Sequence, residues 1–207
     1  MKMAWQLSES AARGLRRGMF LVAGIVLAAI AVFAVRLALD PDGPPAVQAI
    51  GGPFTLVDHN GRPVSDRDFQ GRLLLVYFGF TNCPDMCPLA MQEVAVALDA
   101  LGAASKDVQP LLVTVDPERD SPATMKRYVA QFHPAILGLT GTKEQTDAAA
   151  RAYRVYAARA KGDSVEHHYS VDHTGLIYVM GKDGKYLAHF ASGTSGATMA
   201  ERLRRWL

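Results

Sequence analysis

Residues 72–88 read RLLLVYFGFTNCPDMCP and carry both cysteines of the chain. The first nine residues, Arg72 to Phe80, are almost all apolar or aromatic, which is typical of a strand buried on both faces of a sheet. The pattern from Pro88 to Leu101 then predicts a helix that Gly102 ends. We therefore expect the central strand of a sheet, followed by a short loop and a helix.

Cys83 and Cys87 lie in that loop, directly before the predicted helix. The start of a helix presents unpaired N–H groups and a positive dipole, so we expect it to lower the thiol pKa and favour the reactive thiolate. The alternative is a structural disulfide, but a bridge across so short a loop constrains the unfolded chain little and stabilises it weakly. The spacing allows disulfide geometry, so a dithiol and a disulfide can interconvert.

Strand and helix patterns alternate through the rest of the chain. Before the central strand, apolar residues over 54–57 and 63–64 flank Asn60-Gly61, which predicts a hairpin with a type I′ turn. The later patterns predict, in order, a strand over 108–115, a helix opened by Ser121-Pro122, a strand over 135–139, a helix over 143–156, a hairpin of 176–180 with 186–190, and a helix over 196–207. Parallel strands come first and an antiparallel pair comes last, so we predict an α/β sandwich with a central mixed sheet flanked by helices.

The N-terminal region contains one long apolar segment, because residues 19–35 carry no charge. At about 1.5 Å per residue this run spans roughly 26 Å, close to the thickness of a membrane's hydrocarbon core. We therefore predict one transmembrane helix over 19–39. Three arginines precede it and two aspartates follow it, so the positive-inside rule places residues 1–18 in the cytoplasm. A Pro- and Gly-rich linker over 40–52 and one domain over 53–207 are then exported.

A cleaved signal peptide is the alternative, since a basic stretch followed by apolar residues also describes one. Its apolar part is usually only about 7–15 residues long, and the A-x-A sequence Ala29-Ile30-Ala31 lies inside the run instead of at its end. Either way the domain lies in an oxidising compartment. No Ser-rich transit sequence precedes the run, so we expect a single-pass protein of the bacterial inner membrane, with its C-terminal domain in the periplasm. The formal net charge is only +2, which argues against a nucleic-acid partner.

A strand that leads to two cysteines at a helix start, within this order of elements, resembles the thioredoxin superfamily. Thioredoxins use C-x-x-C and place a cis-proline opposite the cysteines, whereas this chain has C-x-x-x-C and no proline after Pro134. The segment expected to face the cysteines, residues 169–175, reads YSVDHTG and supplies His173 in place of that proline.

Four motifs together resemble the Sco/SenC family of copper chaperones: YFGFTNCPDMCP at 77–88, VTVDPERDSP at 113–122, LGLTGT at 137–142 and VDHTGLIYVMGKDGKYLAHF at 171–190. The resemblance implies a thioredoxin-like fold and delivery of copper to the dinuclear copper site of cytochrome c oxidase. It implies Cys83, Cys87 and His173 as copper ligands, with Asp116 near the metal. Asp172, which is adjacent to His173 in the sequence, is a second candidate carboxylate beside the ligands. Two thiolates and one imidazole form a soft site that suits Cu(I) and accepts Cu(II) with one further ligand.

The remaining candidate residues fit structural roles better than a metal site. We expect Met86 to point away from the cysteines, Asp120 either to cap a helix or to lie near the site, and residues 192–196 to cap a helix rather than bind an anion. The other histidines, expected to be loop residues or structural, are His59, His133, His167, His168 and His189. His167 and His168 have metal capture as their alternative.

Three functions are compatible with these features. The first is a membrane-anchored copper carrier without turnover, which takes its cargo from another periplasmic chaperone and gives it to the copper-binding subunit of the oxidase. The second is a thiol:disulfide oxidoreductase that reduces the cysteines of that subunit, and the third is a copper-responsive redox sensor. The carrier needs His173, whereas thiol exchange needs only the two cysteines.

Overall fold

The computed structural model describes residues 19–36, 50–160 and 169–207. The chain divides into two compact units. The first, Met1–Gln48, contributes one helix to the described residues, and the second, Ala49–Leu207, contains the sheet and its helices.

Helix α1 (Met19–Arg36) forms in the apolar N-terminal run. It has 18 residues, a mean hydropathy of 2.5 and exposed side chains throughout, so its length and composition suit a membrane span. The end of the predicted anchor, 37–39, and most of the linker, 40–49, lie outside the described residues. The helical run Met86–Asp107 is also long and apolar enough to cross a membrane, but it contributes side chains to the core of the domain.

The domain contains nine strands in its described residues. In chain order they are β1 (Thr55–Asp58), β2 (Pro63–Ser65), β3 (Leu73–Gly79), β4 (Val108–Thr114), β5 (Leu137–Thr140), β6 (Ala157–Arg159), β7 (Val171–His173), β8 (Ile177–Met180) and β9 (Tyr186–Phe190). Seven of them form one mixed sheet in the order β2-β1-β5-β4-β3-β8-β9. Strands β3, β4 and β5 are parallel, while β1 and β8 pair antiparallel with β5 and β3.

Strand β3 is fully buried, as its apolar sequence predicts. Leu75 and Tyr77 face one hydrophobic cluster, and Val76 and Phe78 face the other, because successive side chains of a strand point to opposite faces. The prediction that β3 is the middle strand is wrong by one place, since β4 has that position. The N-terminal hairpin joins the sheet beside β5 and so moves the midpoint away from β3.

Helices cover both faces of the sheet. They are α2 (Met86–Leu101), α3 (Pro122–Val129), α4 (Lys143–Ala152) and α5 (Gly196–Leu203). Helices α2, α3 and α5 pack on one face, and α4 packs on the other. This arrangement confirms the predicted sandwich of a mixed sheet flanked by helices.

Several predicted boundaries and contacts differ from the structure. Helix α2 starts two residues before the predicted Pro88, and Leu89, an apolar residue of this helix, is exposed. Helix α4 ends at Ala152, because Arg154 adopts a positive φ of 56° that no helix continues. Helix α5 ends at Leu203, four residues early.

The N-terminal hairpin is confirmed, but its turn type is not. A type I′ turn requires positive φ at both central residues. Gly61 has a φ of 83°, but Asn60 is not among the described residues with positive φ. The carboxylate of Asp58 accepts hydrogen bonds from the backbone N–H groups of Asn60 at 2.8 Å and Arg62 at 2.9 Å. A side chain that bonds to the backbone two residues later offers an alternative way to close the turn.

Strands β6 and β7 form a separate antiparallel pair, which we refer to as the ribbon. Ala157 lies opposite His173, and Arg159 lies opposite Val171. The sequence does not predict the ribbon, because three residues per strand are too few to show a period of two. The ribbon matters for function since it carries His173 at its end.

Candidate metal centre

The two cysteines belong to a continuous part of the domain, formed by β3, the loop after it and α2, which we refer to as the cysteine frame. Because α2 starts at Met86, Cys87 lies in its first turn and is fully buried, while Cys83 lies in the loop and is partly exposed. The backbone N–H of Cys87 donates to the Cys83 sulfur over 3.4 Å. Both cysteines are free thiols.

Asp120 secures the cysteine loop to the neighbouring strand. Its fully buried carboxylate accepts hydrogen bonds from the Thr81 backbone N–H at 3.1 Å, the Thr81 hydroxyl at 2.5 Å and the Thr114 hydroxyl at 2.6 Å. Ser121, not Asp120, caps α3, so the capping role considered for Asp120 is wrong. The sequence could have predicted this contact, because polar residues follow two adjacent parallel strands and the carboxyl ends of such strands meet at one edge of the sheet.

His173 reaches the cysteines from the ribbon. Its Nε2 lies 3.5 Å from the Cys87 sulfur, and its Nδ1 lies 3.3 Å from the Thr174 carbonyl oxygen. The imidazole packs edge-on against the rings of Tyr77 and Phe80, with centroid distances of 6.0 and 5.8 Å. Burial lowers the pKa of His173, which favours the neutral ring that a metal ligand requires.

The donor atoms of Cys83, Cys87 and His173 all lie within 4.8 Å of one another. Among the described histidines, cysteines and acids, this is the group of three that could hold one metal ion. The structure therefore brings together the three residues that the family resemblance implies. Two sulfurs and one imidazole nitrogen make a donor set that suits copper.

The electrostatics of Cys87 differ from the sequence-based prediction. Burial raises the pKa of the Cys87 thiol to about 12, although a hydrogen bond from the Phe80 backbone N–H opposes the shift. The expectation that the helix start favours a thiolate is therefore wrong for Cys87, because loss of solvation outweighs the helix. Metal binding at this residue has to displace a proton.

Asp116 lies behind the site and holds the start of β7. Its buried carboxylate accepts a hydrogen bond from the Tyr169 hydroxyl at 2.6 Å and forms an ion pair with Arg119. Arg119 also donates to the Tyr169 carbonyl oxygen at 2.9 Å, and its guanidinium stacks 3.7 Å from the centre of the Tyr169 ring. These contacts join the β4–α3 loop to the residue that precedes the ribbon strand bearing His173.

A cavity of about 350 Å³ opens beside the metal centre. Its lining includes Cys83, His173, Asp172 and Met86. Met86 is 45% exposed and borders this cavity. Asp172 is exposed, and its negative charge opposes the downward shift in the pKa of His173.

The described histidines outside the centre have structural contacts, as expected. His59 accepts a hydrogen bond from the Gly138 backbone N–H, His133 accepts one from Ala135, and His189 bonds to the Tyr186 hydroxyl. His167 and His168 lie outside the described residues.

The loop over 192–196 caps α5, as expected. Ser195 accepts the hydrogen bond of the Thr198 backbone N–H, and the backbone N–H of Gly196 donates to the Glu93 carboxylate at 2.5 Å. A side chain of the protein itself therefore fills the position where an external anion would bind.

Comparison with known proteins agrees with this geometry. The SCO1/SenC family model matches residues 42–207. The mitochondrial SCO1 homolog of Homo sapiens is 41% identical over 161 residues, which cover 75% of this chain and 53% of the human protein. The chain thus spans about half the length of that relative. An SCO2-like protein of Rickettsia conorii is 39% identical, with 75% of this chain and 76% of the relative covered.

Solved structures of similar proteins contain copper. ScoI of Bradyrhizobium japonicum with copper bound is 40% identical with a TM-score of 0.71, over 77% of this chain and 100% of that one. ScoI of Arabidopsis thaliana with copper bound is 35% identical with a TM-score of 0.71, over 76% and 97% of the two chains. The family model covers most of the sequence. The chain therefore belongs to the SCO1/SenC family and has its thioredoxin-like fold.

Proposed function

We propose that this protein is a membrane-anchored copper chaperone that binds one copper ion through Cys83, Cys87 and His173. The observation that carries the proposal is the convergence of these three donor atoms within 4.8 Å. Copper bound in the similar ScoI structures supports copper as the cargo.

The chemistry of the donors suits a carrier. Two thiolates and one neutral imidazole satisfy Cu(I) in three-coordinate form, and a further ligand completes Cu(II). The partly exposed Cys83 lies on the cavity, where an incoming ligand from a partner can approach the metal. We infer that the copper-binding subunit of cytochrome c oxidase receives the ion there, and that another periplasmic copper chaperone supplies it.

Copper loading of the full chain tests the proposal directly. The reduced protein, purified in detergent and supplied anaerobically with Cu(I), is expected to bind one copper ion per chain. The same protein with Cys83 and Cys87 linked as a disulfide is expected to bind none, because metal ligation needs thiolates. Equal copper content in both forms, measured by elemental analysis after desalting, contradicts the assignment of the cysteines.

The proposed location is the bacterial inner membrane, with α1 as a single-pass anchor and the domain in the periplasm. A reporter enzyme fused after Leu207, active only when exported, is expected to be active. The unfused mature protein is expected in the membrane fraction at its full mass of 22.4 kDa. A soluble product that begins after residue 31 or 39 would show that the segment is a cleaved signal peptide.

A thiol:disulfide oxidoreductase remains the second candidate function. The observation in its favour is that Cys83 and Cys87 are both free, with the Cys83 sulfur accepting the Cys87 N–H. In that function the partly exposed Cys83 attacks a disulfide of an oxidase subunit, and Cys87 resolves the mixed disulfide, so the chain is oxidised as the substrate is reduced. Substitution of His173 separates the two functions, since only the carrier needs it as a ligand.

We assign supporting roles to two carboxylates. Asp116 holds Tyr169 and so keeps the ribbon, with His173, beside the cysteines. Asp172 acts on the His173 imidazole through its charge.

A further inference from the structure

Tyr77 contacts two of the three residues in the metal centre. It is 1% exposed in β3, on the sheet face that α2 covers. Its hydroxyl donates to the Cys87 sulfur at 3.8 Å, and its ring meets the His173 imidazole edge-on, at an interplanar angle of 80°. Tyr77 therefore links the cysteine frame to the histidine of the ribbon.

Gly79 makes this close packing sterically feasible. Gly79 and Tyr77 point to the same face of β3, since they are two residues apart. A Cβ atom added at Gly79 would lie 2.8 Å from the Tyr77 ring and 2.9 Å from the Cys87 sulfur. Any larger residue at position 79 would have to push the ring and the sulfur out of place.

A buried sulfur that binds copper needs hydrogen-bond donors. Two thiolates, one neutral imidazole and Cu(I) carry a net charge of −1, and a buried charge is costly unless hydrogen bonds satisfy it. Nε2 of His173 lies near the Cys87 sulfur, but as a metal ligand this nitrogen directs its lone pair at the ion and no longer donates to sulfur. The Tyr77 hydroxyl is a donor that copper binding leaves in place.

We propose that Tyr77 is a positioning residue of the metal centre, whose hydroxyl donates to the Cys87 sulfur and whose ring holds the His173 imidazole beside it. The inference rests on the proposed copper function and extends it to a residue that does not touch the metal. Hydrogen bonds to a ligand from groups behind it orient that ligand and tune its bond to the metal.

Tyr77→Phe tests the inference in the full chain, because it removes the hydroxyl and keeps the ring. Tyr178→Phe is the matched control. Tyr178 is also a buried tyrosine, and it lies in β8, the strand that pairs with β3. Its side chain faces the opposite side of the sheet from Tyr77. Cu(I) affinity, measured by competition with a chromogenic chelator, is expected to fall about 10-fold in Tyr77→Phe. It is expected to be unchanged in Tyr178→Phe.

The Cu(II)-loaded proteins give a second measurement. Loss of a hydrogen bond raises the energy of the sulfur lone pairs, so the sulfur-to-copper charge-transfer band is expected to move to longer wavelength in Tyr77→Phe only. A variant that merely lost stability would keep the band at the wild-type position in its folded fraction. Equal affinities and band positions in the two tyrosine variants would overturn the role of the hydroxyl.

Gly79→Ala tests the packing without removing any polar group. We expect it to lower Cu(I) affinity and to shift the His173 imidazole signals in nitrogen NMR spectra of the metal-free chain. Gly138→Ala, in β5, is the control and is expected to leave these signals unchanged. Unchanged signals and affinity in Gly79→Ala would overturn the close approach. If the wild-type chain binds no copper, the proposed function fails, while the metal-free spectra of Tyr77→Leu still decide whether Tyr77 holds the imidazole.

Discussion

The cysteine frame and the ribbon bring ligands to the same place but are held by different forces. In the frame, β3 pairs with β4 and β8, and the buried side chains of α2 pack on the sheet. Within the residues that the structure describes, the ribbon has its own two-stranded pairing and no hydrogen-bonded neighbour in the main sheet. Side-chain contacts hold it in position: Tyr169 bonds to Asp116 and Arg119, and Val171 packs in the hydrophobic core.

Because of this difference, we expect a substitution in one region to displace the ligands of that region without displacing those of the other. The frame is part of the hydrophobic core, so its ligands stay in place while the domain is folded. We expect the ribbon to shift relative to the frame when its polar contacts are lost, while the sheet stays folded. Substitutions in the two regions therefore test whether the histidine is positioned independently of the cysteines.

The largest effect is expected from the frame's own ligand, in Cys87→Ser. A hydroxyl is a hard and neutral donor where Cu(I) needs a soft thiolate, so affinity should fall by more than the roughly 100-fold upper range for groups that only orient a ligand. Chelator competition measures the loss. Retained tight binding by Cys87→Ser would show that the buried sulfur is not a ligand.

The next effect is expected from the ribbon's ligand, in His173→Ala. Both thiols remain, so Cu(I) affinity is expected to fall by about 10-fold or more while any dithiol reductase activity survives. Cells with this variant should lose oxidase assembly and recover part of it when copper is added. Wild-type copper binding by His173→Ala, together with failure of only the cysteine variants in cells, would favour the oxidoreductase over the chaperone.

A smaller effect is expected from the contact that holds the ribbon, in Tyr169→Phe. Loss of the hydroxyl bond to Asp116 removes about 1 kcal/mol, which corresponds to about 5-fold in Cu(I) affinity if it acts on the ligand position. In the His173→Ala background the same substitution should have no further effect on affinity, because residues that act through one group are not additive.

Tyr186→Phe is the matched control for that variant. It removes a hydroxyl that is hydrogen bonded over the same 2.6 Å, to His189 in β9 and away from the centre. We expect wild-type copper affinity for it. Full additivity of Tyr169→Phe and His173→Ala would mean that Tyr169 does not act through the histidine.

The smallest effect is expected from Asp172→Ala. Asp172 is exposed and acts on His173 through its charge, and exposed substitutions usually change free energies by less than about 0.5 kcal/mol. Copper affinity is therefore expected to change by less than about 3-fold, measured by the same competition. A loss as large as that of His173→Ala would assign Asp172 a direct part in the metal centre.

The sequence by itself determined the parts of this protein that depend on local pattern. The apolar run of β3, the helix start at Ser121-Pro122, the two cysteines around the start of α2 and the apolar N-terminal segment all follow from periodicity and from residue types with strong positional preferences. The motif around His173 identified the third candidate ligand through the family resemblance. None of these inferences needs contacts between distant residues.

Only the tertiary structure decided how the ligands are held and how they ionise. The strands of the ribbon are too short to show a pattern in the sequence. The bonds of Asp120 to Thr81 and Thr114, and the contact of Tyr77 with Cys87, join side chains of different elements, which no local pattern predicts. The same applies to the Cys87 thiol, for which the helix start predicts a lowered pKa. Burial raises it instead, because the solvation of a thiolate depends on what the folded chain packs around the sulfur.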